Sequence, residues 1–209
     1  MVNWEDTTLY QPAPAQNKLW RRLWHLVGGS FFPVLAFFVP RGALLVTLGA
    51  ITAVFAAWEV VRFTSPNVNR WMVSHLGAIL KREERSRPTG TTYLLLASLA
   101  VLLLFDKYVA IASLLFLSIG DLMATVIGEK FGRRRVFSKS LEGSFACLAS
   151  CLLIGILMSR LTTAIALPVA MVGAVSATIV ELLPVPIDDN LTIPLISGGL
   201  MTLAATCLR

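Results

Sequence analysis

The stretch Leu117–Gly132, LSIGDLMATVIGEKFG, is membrane-grade sequence with a carboxylate, Asp121, set inside it. An aspartate at the centre of a spanning helix costs about 3 kcal/mol on insertion scales, and more on other estimates. Asp121, Thr125, Gly128 and Gly132 fall at helical spacing i, i+4, i+7 and i+11, so they share one face. Gly120, Ala124 and Gly128 form a stripe of small residues, which signals close helix packing. Packing accounts for the glycines but not for the aspartate. An intramembrane carboxylate implies function and partners elsewhere in the chain.

The rest of the chain agrees with a membrane setting. Of 209 residues, 56% are hydrophobic and only 14% are charged, far too apolar for an ordinary soluble domain. The net charge of +6 needs no nucleic-acid partner, because membrane proteins concentrate Lys and Arg on cytoplasmic loops. Cys147, Cys151 and Cys207 lie in apolar runs and read as small packed hydrophobes. With His25 and His75 as the only histidines, neither a disulfide framework nor a Cys/His metal site is expected. Residues 1–22 read as a polar N-terminal segment without a signal-peptide pattern. Residues 23–209 read as one membrane-embedded domain.

A bilayer core of about 30 Å takes about 20 apolar residues in a helix. The apolar runs predict an all-α, polytopic bundle of about seven transmembrane helices, at 23–40, 42–61, 92–106, 108–128, 142–159, 162–183 and 190–207. With the N-terminus cytoplasmic, only Arg41, Lys107, Arg160 and Arg209 of the 18 Lys and Arg residues fall outside, a strong positive-inside bias. Within 66–87, Val68, Trp71, Met72, Leu76, Ile79 and Leu80 recur at helical spacing among polar residues. That pattern predicts an amphipathic helix on the inner surface, bracing the bundle or guiding a lipid tail.

In this layout the unexplained polar residues collect on one side: Glu59 and Arg62, Glu83 and Glu84, Thr89 and Gly90, Asp121, Glu129 and Lys130, SKSLEGS (138–144), Glu181, and DDNLTIP (188–194). Glu59 and Arg62 also fit a plain i, i+3 ion pair. Asp188, Asp189 and Asn190 supply more capping groups than one helix start needs. His25, with Arg21 and Arg22, fits snorkelling to the interface. Carboxylates without His or Cys ligands suit a hard cation, Mg²⁺ first. Nearby Lys and Arg, with the amides at helix starts, suit phosphates. A metal, a polyphosphate and a membrane-embedded site together imply a nucleotide acting on a lipid. No GxxxxGK[ST] or GxGxxG loop is present.

GDLMATVIGEKFG followed by KSLEGS resembles the pattern GDxxAxxxGxxxG…KSxEGS, and DNLTIPLISGG resembles the DNLTIP-type ending of the polyprenol kinase family. That family includes dolichol kinase, phytol kinase and the CTP-dependent diacylglycerol kinase. RRLWH (Arg21–His25) and RPTGTTYLLLA (from Arg87) are similar to its N-terminal and central motifs. CDP-diacylglycerol synthases share the first two patterns but end in a His-containing motif, and this chain has no His after His75.

The resemblance implies transfer of the γ-phosphoryl of CTP, with Mg²⁺, to the hydroxyl of a membrane lipid alcohol such as dolichol, a polyprenol or phytol. The site would face the cytoplasm. For that chemistry Mg²⁺ would be held by Asp121 with Asp189 or Asp188, and phosphate contacts would come from Lys139 and from Lys130 or Arg133. Ser140, Glu142, Gly143 and Ser144 would shape one wall of the nucleotide pocket, Asn190 and Thr192 the other. Glu181 and Glu59 are candidates to orient or deprotonate the hydroxyl. The alternatives are a diacylglycerol acceptor, a cytidylyltransferase like the CDP-diacylglycerol synthases, and a transporter. A transporter would place polar groups at mid-membrane within repeats, which this sequence does not show.

Overall fold

The computed structural model describes residues 15–77, 80 and 83–208. These build α1 (Ala15–Phe38), α2 (Arg41–Thr64), α3 (Pro66–Leu76), α4 (Gly90–Leu104), α5 (Lys107–Leu115), α6 (Leu122–Phe131), α7 (Leu141–Leu161), α8 (Leu167–Leu182) and α9 (Asp189–Cys207). Between α5 and α6 the chain runs on through a π-helical turn, Phe116–Asp121, so Lys107–Phe131 is one continuous rod. A two-strand hairpin joins α6 to α7, β1 (Arg135–Val136) pairing antiparallel with β2 (Lys139–Ser140).

The helix boundaries follow local chemistry. Pro66 opens α3, and a proline also opens α8 in its first turn, where its missing N–H costs nothing. Thr89, Ser140 and Asp188 cap α4, α7 and α9, each accepting a backbone N–H two or three residues on.

The rod Lys107–Phe131 forms the centre of the bundle, with Ile111, Leu114, Phe116 and Leu117 fully buried. α7, α8 and α9 pack in sequence beside it, α1 covers α5 and the π turn, and α4 sits between α2 and α9. Large apolar side chains point outward on α2 (Val46, Val54), α7 (Phe145, Leu153), α8 (Met171, Ile179) and α9 (Leu203). The buried polar side chains include Glu59, Arg62, Thr92, Ser144, Glu181 and Asn190. Apolar outside with buried charge inside is the pattern of a bundle in lipid.

Helices lie at each place where the sequence predicts a span, but they are not equivalent. Four are long and apolar enough to cross a bilayer: Arg41–Thr64, Lys107–Phe131, Leu141–Leu161 and Asp189–Cys207. Gly90–Leu104 and Leu167–Leu182 are apolar but have 15 and 16 residues, about 22–24 Å at 1.5 Å per residue. α1 has 24 residues, but Lys18, Arg21, Arg22 and His25 occupy its first turns and leave too short an apolar remainder. These helices make the chain an integral membrane protein.

The amphipathic helix is shorter than predicted. α3 ends at Leu76, and a turn at Gly77 and a short 3₁₀ turn, Glu83–Arg85, follow. Asn69 and Met72 face inward, while Trp71 stays exposed and stacks on His75. Predictions that fall on residues 1–14, Ile79, Lys81, Arg82 and Arg209 lie outside the described residues.

Candidate active site

The site begins with the hairpin. A two-residue turn, Phe137–Ser138, with Phe137 at φ 55°, reverses the chain and sets Lys139 opposite Val136. The Glu142 carboxylate accepts from the amides of Arg133 and Arg134 at 3.1 and 3.3 Å, and Leu141 N–H donates to the Arg134 carbonyl. The hairpin is thus clamped to the first turn of α7. Below it, α6 and α7 meet at glycine: a Cβ built on Gly143 would lie 2.6 Å from the Ala124 carbonyl and 3.2 Å from Gly128 Cα. Only glycine permits that approach. The motif glycines therefore bring two helix ends together.

Lys139 reaches from the clamped hairpin to two other helices. Its Nζ lies 2.9 Å from Asp189 Oδ2 at the start of α9 and 3.3 Å from Glu181 Oε1 at the end of α8, and it also donates to the Glu181 carbonyl. Ser144 Oγ donates to Glu181 Oε2 at 3.1 Å. Asp121 is close enough to act electrostatically on Lys139, Glu181 and Asp189 together. Burial works against the Lys139 ammonium, but Asp189, then Glu181 and Asp121, outweigh it and hold its pKa above the ordinary lysine value.

Asp121 closes the π turn, and such turns recur at functional sites because the extra residue re-aims a side chain. Gly120 seats the turn against α7, where an added Cβ would stand 2.6 Å from Cys151 Sγ and 3.2 Å from Cys147 Sγ. On its other side Asp121 Oδ2 faces His25 Nε2 of α1 at 3.6 Å. One to two turns earlier on α1, Arg22 and Lys18 meet Glu129 at 2.8 and 3.4 Å. Lys18, Arg22 and His25 recur at i, i+4 and i+7, a face that sequence spacing marks, whereas its acidic partners on α6 are not visible from spacing.

Asp188 Oδ1 accepts from the backbone and side-chain nitrogens of Asn190 at 2.9 and 2.6 Å. Thr192 Oγ1 donates to the Asp188 carbonyl at 3.3 Å. Lys130, Arg133, Arg134 and Arg135 are exposed around the hairpin, with Lys130 Nζ 5.2 Å from the Phe131 ring centre. They stay at the surface on the hairpin side, and none is buried with Lys139.

Glu59 belongs to a second cluster. Its Oε2 lies 2.5 Å from Arg62, and its Oε1 accepts from Thr89 N and Thr92 Oγ1 at 2.8 and 3.0 Å. Fully buried Arg62 donates to the carbonyls of Glu84 and Arg87 at 2.6 and 2.7 Å. Glu84 Oε1 in turn accepts from Gly90 N at 2.7 Å. This clasp shapes the loop before α4, whose Gly90 approaches the Asn190 side chain. Of the predicted residues, Asp121, Lys139, Ser144, Glu181 and Asp189 converge. Ser140, Gly143, Asp188, Asn190 and Thr192 support them at helix starts, and Glu142 clamps the backbone.

Among the described residues no group of three or more His, Cys, Asp or Glu side chains forms a ready metal cage. Asp121 and Asp189, which act on each other electrostatically, fit the looser requirement of Mg²⁺, which commonly takes one or two carboxylates and completes its shell with phosphates and water.

Fold and site together define an integral membrane protein with a charged, carboxylate- and lysine-lined centre at one end of its helices. The chain is 29% identical over 181 residues to an uncharacterized protein of Rickettsia prowazekii, covering 84% of this chain and 88% of that one. It is 27% identical to the CTP-dependent diacylglycerol kinase 1 of Schizosaccharomyces pombe, over 69% of this chain and 73% of the relative. It is 34% identical to a probable chloroplastic phytol kinase of Triticum aestivum, over 55% of this chain and 43% of the relative. No family model matches, and no solved structure matches. These similarities support the polyprenol and lipid kinase family.

Proposed function

We propose that this protein is a lipid-alcohol kinase that transfers the γ-phosphoryl of CTP to the hydroxyl of a membrane isoprenoid alcohol. The observation that carries this is Lys139, held between Asp189 and Glu181 with Asp121 in electrostatic reach, at the end of a bundle whose outer surface is apolar. Phosphoryl transfer asks chiefly for positioning and charge neutralisation, and this cluster offers both beside lipid. Two relatives named as lipid kinases support the class.

Asp121 and Asp189 would hold Mg²⁺, which when bound neutralises phosphate charge. Lys139 would contact phosphate oxygens, with the exposed Lys130 and Arg133 drawing the nucleotide in. The hydroxyl oxygen forms the new bond to the γ-phosphorus, and the bond from that phosphorus to the β–γ bridging oxygen breaks. The electron pair leaves on the nucleoside diphosphate, and the hydroxyl proton passes to a carboxylate. Both Glu59 oxygens are engaged by Arg62, Thr89 and Thr92, which favours a carboxylate of the Lys139 cluster for that role. A layout of seven membrane crossings, with this end cytoplasmic, agrees with the cations around the hairpin. A diacylglycerol acceptor is the second reading, favoured by the similarity to the fission-yeast enzyme over 69% of this chain.

The test is incubation of the purified protein with Mg²⁺, CTP or ATP, and a panel of phytol, geranylgeraniol, dolichol and diacylglycerol. The expected products are a lipid monophosphate and a nucleoside diphosphate. Release of pyrophosphate from phosphatidate, or no nucleotide turnover with any alcohol, overturns the proposal.

A further inference from the structure

Resting on the lipid-alcohol reading above, we infer that His25 and Asp121 together form the seat of the acceptor hydroxyl. Asp121 stands between two unlike surroundings. Toward the bundle interior lie Lys139, Glu181 and Asp189, a charged environment suited to phosphates. Toward α1 lies His25, on a helix whose Trp24, Val27 and Phe31 are exposed apolar groups. A lipid alcohol would approach from that apolar side.

His25 Nε2 is buried and has no hydrogen-bond partner, and such atoms are uncommon in folded proteins. It lies 3.6 Å from Asp121 Oδ2, beyond the usual 2.7–3.2 Å range. Two atoms at that separation can each reach one hydroxyl oxygen at about 2.8 Å once the side chains part to admit it, since His25 Nε2 is buried here. A hydroxyl both donates and accepts. It would donate to Asp121 Oδ2 and accept from His25 Nε2–H, leaving Asp121 Oδ1 for the Lys139 side.

The seat is held rigidly. One turn along α1, a Cβ on Gly29 would stand 2.7 Å from Ser118 Cβ, and the hydroxyls of Ser30 and Ser118 lie 3.1 Å apart. α1 is thereby locked onto the π turn that carries Asp121.

The test compares binding of geranylgeraniol, and of dioctanoylglycerol, with binding of the analogue of each that has hydrogen in place of the free hydroxyl, to the full-length protein in detergent. Wild type should prefer at least one alcohol over its analogue by about tenfold or more, because a polar seat left unfilled penalises the analogue. His25→Ala, or His25→Phe where the alanine variant does not fold, should abolish the preference while CTP binding stays within about twofold. His25→Gln, which restores an N–H donor, should recover part of it. No preference in wild type, a preference retained without His25, or alcohol and CTP binding lost together would overturn the inference. A preference without phosphoryl transfer leaves the hydroxyl seat standing and removes the kinase reading. Undiminished transfer in His25→Phe does the reverse.

Discussion

Lys139 Nζ and Asp189 Oδ2 lie 2.9 Å apart although 50 positions separate them in the chain. Their contact joins the α6–α7 hairpin to the start of α9, and Glu181 adds the end of α8 to the same ammonium. Replacing Lys139 by Met leaves two carboxylates facing each other without a cation, the costly way to break a partly buried pair. The expected result is a fall of about 10²-fold or more in turnover, the scale set by removing one preorganised charge-stabilising donor. Lys139→Arg should retain more activity than Lys139→Met. Equal activity of the Met variant and wild type would show that this ammonium does not serve the reaction.

The raised pKa of Lys139 fixes a pH window. Its folded value lies above the ordinary lysine value, so the folded state holds this proton more tightly than the unfolded chain. Its contribution to stability is complete below the unfolded value and fades as pH rises through the folded one. The stability difference between wild type and Lys139→Met, followed by thermal unfolding in detergent, should stay constant from pH 7 to about pH 10 and shrink only above that. A difference that collapses near pH 8 would contradict the ion-pair geometry.

Asp121→Asn separates charge from shape. Asp121 adds negative charge beside Glu181 and Asp189, so its neutralisation relieves repulsion there while losing its attraction for Lys139 and the weak His25 contact. The unfolding temperature should stay within a few degrees of wild type, and lipid phosphorylation should fall by about 10³-fold. Near-normal phosphorylation by this variant would remove Asp121 from the reaction.

Helix positions and the motif carboxylates were legible because they rest on local signals: apolar runs of set length, a charge where charge is costly, and glycines at helical spacing. Asp121, Glu181 and Asp189 could be listed together for that reason. The His25–Asp121 and Arg22–Glu129 contacts were not legible, since they depend on how α1 lies along α6, and a basic residue at a helix start fits snorkelling equally well. The π turn left no trace, because one extra residue in a helical turn does not disturb an apolar run. Glu59 reads both as a candidate base and as the ion-pair partner of Arg62; its contacts with Thr89 N and Thr92 Oγ1, and those of Arg62 with the Glu84 and Arg87 carbonyls, depend on how the loop before α4 folds, which side-chain patterns do not encode.

The π turn depends on space behind it. Gly120→Ala would drive a methyl to 2.6 Å from Cys151 Sγ, an overpacking that costs about 1–3 kcal/mol. It should lower both the unfolding temperature and turnover, because Asp121 is the next residue. Removing the obstructing sulfur in Gly120→Ala/Cys151→Ala should restore part of both, a coupling that a double-mutant cycle measures. Strictly additive losses would show that Gly120 serves some purpose other than clearance for the thiol.

Arg62 and Glu59 test the division between scaffold and chemistry. Arg62 is fully buried, and its two terminal nitrogens serve Glu59 and two loop carbonyls. Truncating it to Ala strands the Glu59 carboxylate and frees the 84–89 loop, a loss of about 3–5 kcal/mol by analogy with other broken buried pairs. Glu59→Gln is milder, because an amide oxygen still accepts from Thr89 N or Thr92 Oγ1 while the charge opposite Arg62 is lost. If Glu59 only holds the loop, Glu59→Gln should lose stability and activity in parallel, and turnover should recover under conditions where the variant is fully folded. A fully folded Glu59→Gln protein with turnover reduced about 10³-fold would instead return Glu59 to the role of proton acceptor and move the reacting hydroxyl toward α2 and α4.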